Sequence, residues 1–331
     1  MTRYHAVHKA PQGPGDARPT ALQIIKDEGV ENTLTDKTIV VTGVSSGLGV
    51  ETARALWATG ARLIVTARNV EKAKDALSDI LDQDRVKIIQ MDQTSFQSVR
   101  TAASQILAET SKINILIENA GVMAYPTLSL TQDGHEMHFG TNHLSHFLFF
   151  QLLRPALLAS ATPQFHSRVV VVASSAHLRN GINESDNYNY QKGDYEPLSA
   201  YAQSKTANIY MANEIERRYG DQGLHATSLH PGGILTPLAR HLSAAELEAQ
   251  RKLPNVELSF KSPEQGAATT VWAAIGQEWE GRGGRYLANC AESGPVGDES
   301  PYTTSGYAKH AYDTVLAQRL WEDSTKLVGL A

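Results

Sequence analysis

Tyr201-Ala202-Gln203-Ser204-Lys205 sets a phenol and an ammonium four positions apart, on one face if the segment is helical. A free tyrosine titrates near pH ~10, too high for proton transfer near neutrality. A neighbouring cation favours the phenolate and lowers that value, so the pair could work as acid and base. Upstream, Val169-Val170-Val171-Val172-Ala173-Ser174-Ser175 leads two hydroxyls off the end of a β-branched run. Ligands of open α/β sheets bind at the C-terminal ends of the strands, so these hydroxyls and the phenol could share a site. Nearer the N-terminus, Thr42-Gly43-Val44-Ser45-Ser46-Gly47-Leu48-Gly49 is a glycine-rich turn between a strand-like run and a helix-like one. Its glycines permit close backbone approach to a pyrophosphate, and the following helix offers free N–H groups and a positive dipole end. Three residues separate Gly43 from Gly47, so the spacing is not G-x-G-x-x-G. Roughly 20 residues beyond such a turn, NAD(H) usually meets an acid and its 2′-phosphorylated relative an arginine. Here the stretch reads Val65-Thr66-Ala67-Arg68-Asn69. It has no acid, and Arg68 offers a fork suited to phosphate, which favours NADP(H), with NAD(H) as the alternative.

Short apolar runs alternate with helix-length segments from Asp36 onward. The expected strands are Thr38–Thr42, Arg62–Thr66, Val86–Gln90, Ile113–Ile117, Val169–Val172 and His225–Leu229, several of them apolar on both faces. The expected helices are Leu48–Thr59, Val70–Asp82, Phe96–Thr110, Gln132–Ser160 and Ala200–Tyr219. Right-handed βαβ units in that order predict an α/β fold, a single doubly wound parallel sheet (Rossmann fold) with helices on both faces. Ser243-Ala-Ala-Glu246 and Ser262-Pro-Glu-Gln265 have the form of capping boxes, opening helices to about Lys252 and about Ile275. Tyr286-Leu287-Ala288 is expected as a last strand and Tyr307–Glu322 as a terminal helix. Residues 1–35 read as an N-terminal arm, partly disordered, with a short helix at Ala21–Glu28. Residues 36–331 read as one nucleotide-binding domain, with pocket segments at 176–200 and 236–262. Tyr188, Tyr190 and Tyr195 in the first and Leu238, Leu242, Leu247 and Leu253 in the second predict an apolar, tyrosine-edged pocket.

Composition narrows the classes. The chain has 331 residues, 30 Lys+Arg against 35 Asp+Glu, and a net charge of −5. With no long basic block, nucleic acid and anionic membrane are poor partners. The most apolar stretch, Leu144–Leu153, is shorter than the about 20 residues a membrane span needs, and reads as a buried helix. A lone cysteine, Cys290, excludes an intrachain disulfide and suits a reducing compartment, so the expected location is cytoplasmic. His135, His138, His143 and His146 lie close in sequence, but without acidic or cysteine partners at ligand spacing they predict no metal site.

Taken together, Thr42–Gly49, Asn119-Ala120-Gly121, Asn142, Ser175, Tyr201-x-x-x-Lys205 and Pro231-Gly232-Gly233-Ile234-Leu235-Thr236 resemble the short-chain dehydrogenase/reductase family. Thr141–Phe147 and Leu229–Gly232 resemble its branch of retinol dehydrogenases and WW-domain oxidoreductases. The resemblance implies Tyr201 as general acid in reduction and base in oxidation, with Ser175 holding the substrate oxygen. It implies Lys205 on the nicotinamide ribose, lowering the Tyr201 pKa, and Asn142 kinking its helix and holding a water that links Lys205 to solvent. Asp92 with Gln93 would meet the adenine end and Asn119-Ala120-Gly121 would line the cofactor. Pro231, Gly232, Ile234 and Thr236 would fix the carboxamide end. The implied activity is hydride transfer between NADP(H) and a ketone, aldehyde or alcohol on a bulky lipophilic substrate, retinoid-, steroid- or secondary-metabolite-like. A homodimer is the implied assembly. Two departures stand out: Glu118 replaces a common asparagine before Asn119, and Asn114 a common aspartate. The competing reading is a catalytically silent NADP(H)-binding regulator of the same fold, which would not need Asn142, Ser175, Tyr201 and Lys205 together. A light-driven pigment reductase fits less well, because Glu118 stands where its cysteine would be.

Overall fold

Runs of valine and isoleucine crowded at Cβ favour extended backbone, and here they do so with both faces covered. The structure, a computed structural model, describes residues 3–81, 84–242, 248, 256–297 and 305–331. Its strands are β1 Thr38–Thr42, β2 Arg62–Ala67, β3 Val86–Gln90, β4 Ile115–Glu118, β5 Ser167–Val172, β6 Leu224–His230, β7 Arg285–Ala288 and β8 Ala291–Glu292. They form one sheet in the order β3-β2-β1-β4-β5-β6-β7-β8. All neighbours are parallel except β7 and β8, which pair antiparallel. The expected purely parallel sheet thus gains a hairpin at its edge. Asn289 (φ 55°) and Cys290 (φ 51°) both take the left-handed conformation that a two-residue hairpin turn requires. Strand order reverses between β1 and β4, and the crevice at that switch point is where such sheets bind ligands.

Helices cover both faces. They are α1 His5–Lys9, α2 Ala21–Asp27, α3 Leu48–Trp57, α4 Val70–Ala76, α5 Phe96–Glu109, α6 Ser145–Leu158 and α7 Pro197–Tyr219. After these come α8 Pro263–Gly266, α9 Ala268–Ile275 and α10 Thr314–Leu327. Alternate sheet residues separate cleanly: Ile39, Val41, Ile117 and Val170 pack with α2, α3 and α9, while Val40, Leu116, Val169 and Val171 pack with α5, α6, α7 and α10. The Phe147–Leu153 stripe is core within the chain, with Trp321 of α10 edge-on to Phe147 at 4.9 Å.

Several expectations need correction. Gln132–Ser160 is not one helix: Glu136 accepts from the N–H groups of His138 (3.0 Å) and Phe139 (2.8 Å), and a π-helical turn runs Phe139–Leu144 before α6 starts. The terminal helix begins at Thr314, not Tyr307, because the Asp313 carboxylate caps it by accepting from Val315 and Leu316. The Ser262 capping box is present, while the box expected at Ser243 falls outside the described residues apart from residue 248. The arm, expected as partly disordered, packs against the domain from Arg3 onward. Tyr4 donates its hydroxyl to Asp27 (2.7 Å), and Ile24 and Ile25 of α2 are fully buried.

Candidate active site

Every strand of the parallel set points its C-terminal end at one cleft of about 600 Å³, lined from the Gly43 turn to the loops after β5 and β6. The turn after β1 is built for close approach. Gly43 (φ +77°) passes so near Ala120 that a Cβ would lie 2.7 Å from its methyl, and at Gly49 a Cβ would meet the Gly43 carbonyl at 2.2 Å. Gly43, Ser45, Ser46, Gly47 and Leu48 line the cleft at the N-terminus of α3, while Gly49 sits behind, closing helix onto turn. Asn119 pins that arrangement: its amide donates to the carbonyls of Thr42 (2.9 Å) and Gly43 (3.3 Å). The Thr42 hydroxyl accepts from the N–H groups of Asn119 and Ala120, each 3.0 Å away, and donates to His146 Nε2 (3.0 Å), whose Nδ1 donates to the Asn142 carbonyl. His146 is fully enclosed and held neutral, its pKa lowered to about 4 by burial. Neither Thr42 nor His146 was singled out from sequence as part of the site.

Arg68, Asp92 and Gln93 line the far end of the cleft, with Thr94 beside them. Arg68 is exposed at the end of β2, and Asp92 is turned onto the N–H and hydroxyl of Thr94, both at 2.9 Å. Ala120, Gly121, Pro231, Gly232, Ile234 and Thr236 line the middle. The open backbone of the glycine turn, the α3 N-terminus and a cleft this long fit a dinucleotide, with Arg68 at the end where a 2′-phosphate would sit.

The four residues expected to be catalytic gather toward the other end. Asn142 sits in the π-turn, where its Oδ1 accepts from Val122 N–H (2.8 Å) and its amide donates to the Val122 carbonyl (3.0 Å) and the Ser204 hydroxyl (2.9 Å). A Cβ on Gly121 would lie 3.1 Å from Asn142 Oδ1 and 3.6 Å from Lys205 Nζ, so glycine leaves room for both; Lys205 lines the cleft, and Asn142 sits buried behind Gly121. Lys205 donates to the Val172 carbonyl (2.9 Å) and stands 5.6 Å from the Tyr201 ring centre. Ser174 and Ser175 both line the cleft beside Tyr201, as expected from their place after β5. Ser174 Oγ accepts from Ala176 N–H (3.1 Å), and Ser175 opens the tight turn that follows.

Burial raises Tyr201 to about 12, with the Ser174 hydroxyl easing its ionisation, and burial pushes Lys205 down to about 7. Desolvation thus works against the lowering of the phenol that the resemblance implies.

The pocket segments also differ from expectation. From 176–200, Ala176, Arg179 and Leu198 line the cleft; the three tyrosines pack outside it. Tyr188 stacks on Phe139 (4.8 Å), Tyr190 packs on Tyr195, and Tyr195 donates to the Tyr125 carbonyl (3.0 Å). Tyr125 and Phe260 are aromatics on the cleft wall, with Tyr125 packed at a tilt on His241 at 4.6 Å. Leu238 and Leu242 do line the cleft, joined by Val122, Met123 and Leu235; Leu247 and Leu253 lie outside the described residues. The four clustered histidines point to separate partners. His138 bonds Glu136 (2.7 Å), an acid the spacing argument passed over, and His143 bonds Ser324 (2.8 Å).

The comparisons bear on the same residues. A profile of the short chain dehydrogenase family matches residues 37–247. The chain belongs to the short-chain dehydrogenase family. It is 47% identical over 319 residues to the short-chain dehydrogenase/reductase prx1 of Penicillium roqueforti, covering 96% of this chain and 93% of that one. The oxidoreductase calI of Penicillium decumbens is 43% identical over 342 residues, covering 100% and 98%. Human retinol dehydrogenase 13 is 35% identical over 303 residues, covering 90% and 86%. Among solved structures, a protein from Mycobacterium paratuberculosis superposes with a TM-score of 0.65 at 31% identity, covering 88% of this chain and 93% of that one. This dehydrogenase is thus an oxidoreductase by family, and among its described residues no helix is long and apolar enough to cross a membrane.

Proposed function

We propose that this dehydrogenase interconverts a carbonyl and an alcohol on a bulky lipophilic substrate, with NADP(H) as its preferred partner. One observation carries the reading. The buried Tyr201 phenol, the Ser174 and Ser175 hydroxyls and the Lys205 ammonium open on the same cleft as the Gly43–Gly49 turn. NADP(H), when bound, supplies or takes the hydride. Gly43, Ser45, Ser46, Gly47 and the α3 N-terminus would hold its pyrophosphate, Arg68 its 2′-phosphate, and Ile234 and Thr236 its carboxamide end. In reduction Tyr201 gives its phenolic proton to the oxygen of the nascent alcohol, while the Ser175 hydroxyl fixes that oxygen. Positioned proton transfer of this kind contributes about 10²–10⁴-fold. Lys205, with Asn142 behind Gly121, sets the cleft floor on which the ribose would rest. The apolar wall of Val122, Met123, Leu198, Leu235, Leu238 and Leu242 favours a lipophilic body.

The test is a panel of ketones, quinones and retinoids, each offered with NADPH and with NADH while nicotinamide absorbance is followed. Turnover of a bulky member is expected, with kcat/KM at least about tenfold higher for NADPH, a difference of one charge-assisted phosphate contact. Equal efficiency would remove the role given to Arg68, and no turnover on any member would favour the regulatory reading.

A further inference from the structure

Arg18 lies in an arm rich in proline and glycine, yet it is 4% exposed. Its Nε donates to Asp16 (2.8 Å), one terminal nitrogen to the Ser259 carbonyl (2.8 Å), and the other to the carbonyls of Gly13 (3.0 Å) and Phe260 (2.5 Å). A planar fork with fixed donor directions can serve acceptors on several sides at once; a lysine ammonium on a flexible stem cannot replace it. Gln265 ties the same arm again, accepting from Gly15 N–H (2.9 Å) and donating to the carbonyls of Asp16 (3.1 Å) and Arg18 (2.9 Å).

The anchored stretch leads into Lys261. Its N–H donates to the Gly233 carbonyl (2.9 Å), and its buried ammonium donates to the Pro231 carbonyl (3.0 Å) and Asn289 Oδ1 (2.9 Å). Gly232, at φ +112°, leaves the room that the lysine stem fills, since a Cβ there would lie 2.9 Å from Lys261 Cδ. A continuous set of hydrogen bonds thus runs from the arm to the turn that follows β6. The arm is also wall: His8, Pro11 and Arg18 line the cleft beside Lys261 and Phe260.

We propose that the N-terminal arm is an integral wall of the ligand cleft, with Arg18 as the positioning residue that holds it there. In that role the arm sets selectivity for the bulky part of the carbonyl substrate and takes no part in proton transfer. This rests on the reductase reading above. The ring and charge neighbours of Tyr201, His138 at 6.0 Å and Lys205 at 5.6 Å, lie off the arm, which keeps the arm out of the proton transfer.

The test uses the full chain with NADPH and two ketones, 1-tetralone and 2-butanone. For Arg18→Met, KM for 1-tetralone should rise about tenfold and for 2-butanone by less than about threefold, with kcat changed by less than about threefold, the pattern of lost ground-state binding. Arg18→Lys should not restore the wild-type ratio. Equal KM shifts for the two ketones, or a loss confined to kcat, would overturn the proposal. Should Arg18→Met fail to fold, the double variant His8→Ala/Pro11→Ala leaves the Arg18 knot in place. It must narrow the KM difference between the two ketones, and an unchanged ratio would overturn the wall. A second readout needs no turnover: 1-tetralone with NADP⁺ should raise the melting temperature of the unaltered chain more than that of either variant. A chain that shows that difference but reduces no ketone overturns the reductase reading alone, whereas normal turnover with no such difference overturns the arm.

Discussion

At the scale of single residues, the site turns on which of two adjacent hydroxyls is left to hold a substrate oxygen. Ser174 and Ser175 both line the cleft, and Ser174 Oγ is engaged by Ala176 N–H, which leaves the Ser175 hydroxyl for a substrate oxygen. Ser175→Ala should lower kcat by about 10²-fold, the cost of losing one fixed donor at the developing oxyanion, and Ser174→Ala should cost much less. Steady-state kinetics of the two variants checks the assignment; the reverse ranking would move it to Ser174. The sequence made the pair, the phenol and the ammonium visible through spacing. It left open which hydroxyl the turn engages, because that depends on where β5 stops pairing and not on residue type. The balance of forces on Tyr201 was also out of reach. A cation at i+4 can be counted from sequence, but full burial of both groups cannot, and burial is the larger effect here.

At the scale of elements, the parallel strands, α3 and α5 were legible from their apolar runs, whereas the expected helix Val70–Asp82 ends at Ala76, where Leu77 leaves helical geometry (φ −111°, ψ 13°). The π-turn at Phe139–Leu144 was not legible, since nothing in its composition separates it from the α6 pattern that follows. The tyrosines of 176–200 misled for a similar reason: their amphipathic rings suit a pocket rim and an interhelical contact equally, and their partners Phe139 and Asp323 are remote in sequence. Strand β4 carries a more unusual feature. Glu118 is fully buried, neither carboxylate oxygen has a hydrogen-bond partner among the described residues, and burial holds its pKa well above the usual value. The folded chain therefore keeps a proton that the unfolded chain releases once pH exceeds its ordinary value of about 4.3, so stability falls as pH rises from there toward the folded pKa. Glu118→Gln removes that loss. Its melting temperature should exceed the wild type's by a margin that grows between about pH 5 and pH 8. Thermal unfolding at several pH values checks this, and a margin independent of pH would contradict it.

At the scale of the whole molecule, the eight-stranded sheet sets a long cleft at its switch point, and three late additions finish the wall. These are the loop after β6, the 256–261 stretch, and an N-terminal arm whose docking its proline-rich sequence did not announce. The arm's partners lie some 240 residues away along the chain, which is why composition alone suggested a loose tail. The sheet ends and α7 face the cleft with Ser174, Ser175, Tyr201 and Lys205, and the peripheral segments line the rest of it. Central to this account is Tyr201 as the proton donor, and one measurement addresses it most directly. Tyr201→Phe, assayed for NADPH-dependent reduction of a ketone that the wild type turns over, should lose about 10²–10⁴-fold in kcat while its NADPH affinity, read by tryptophan-to-nicotinamide fluorescence transfer, stays within about threefold. Near-normal turnover by the phenylalanine variant would contradict the account.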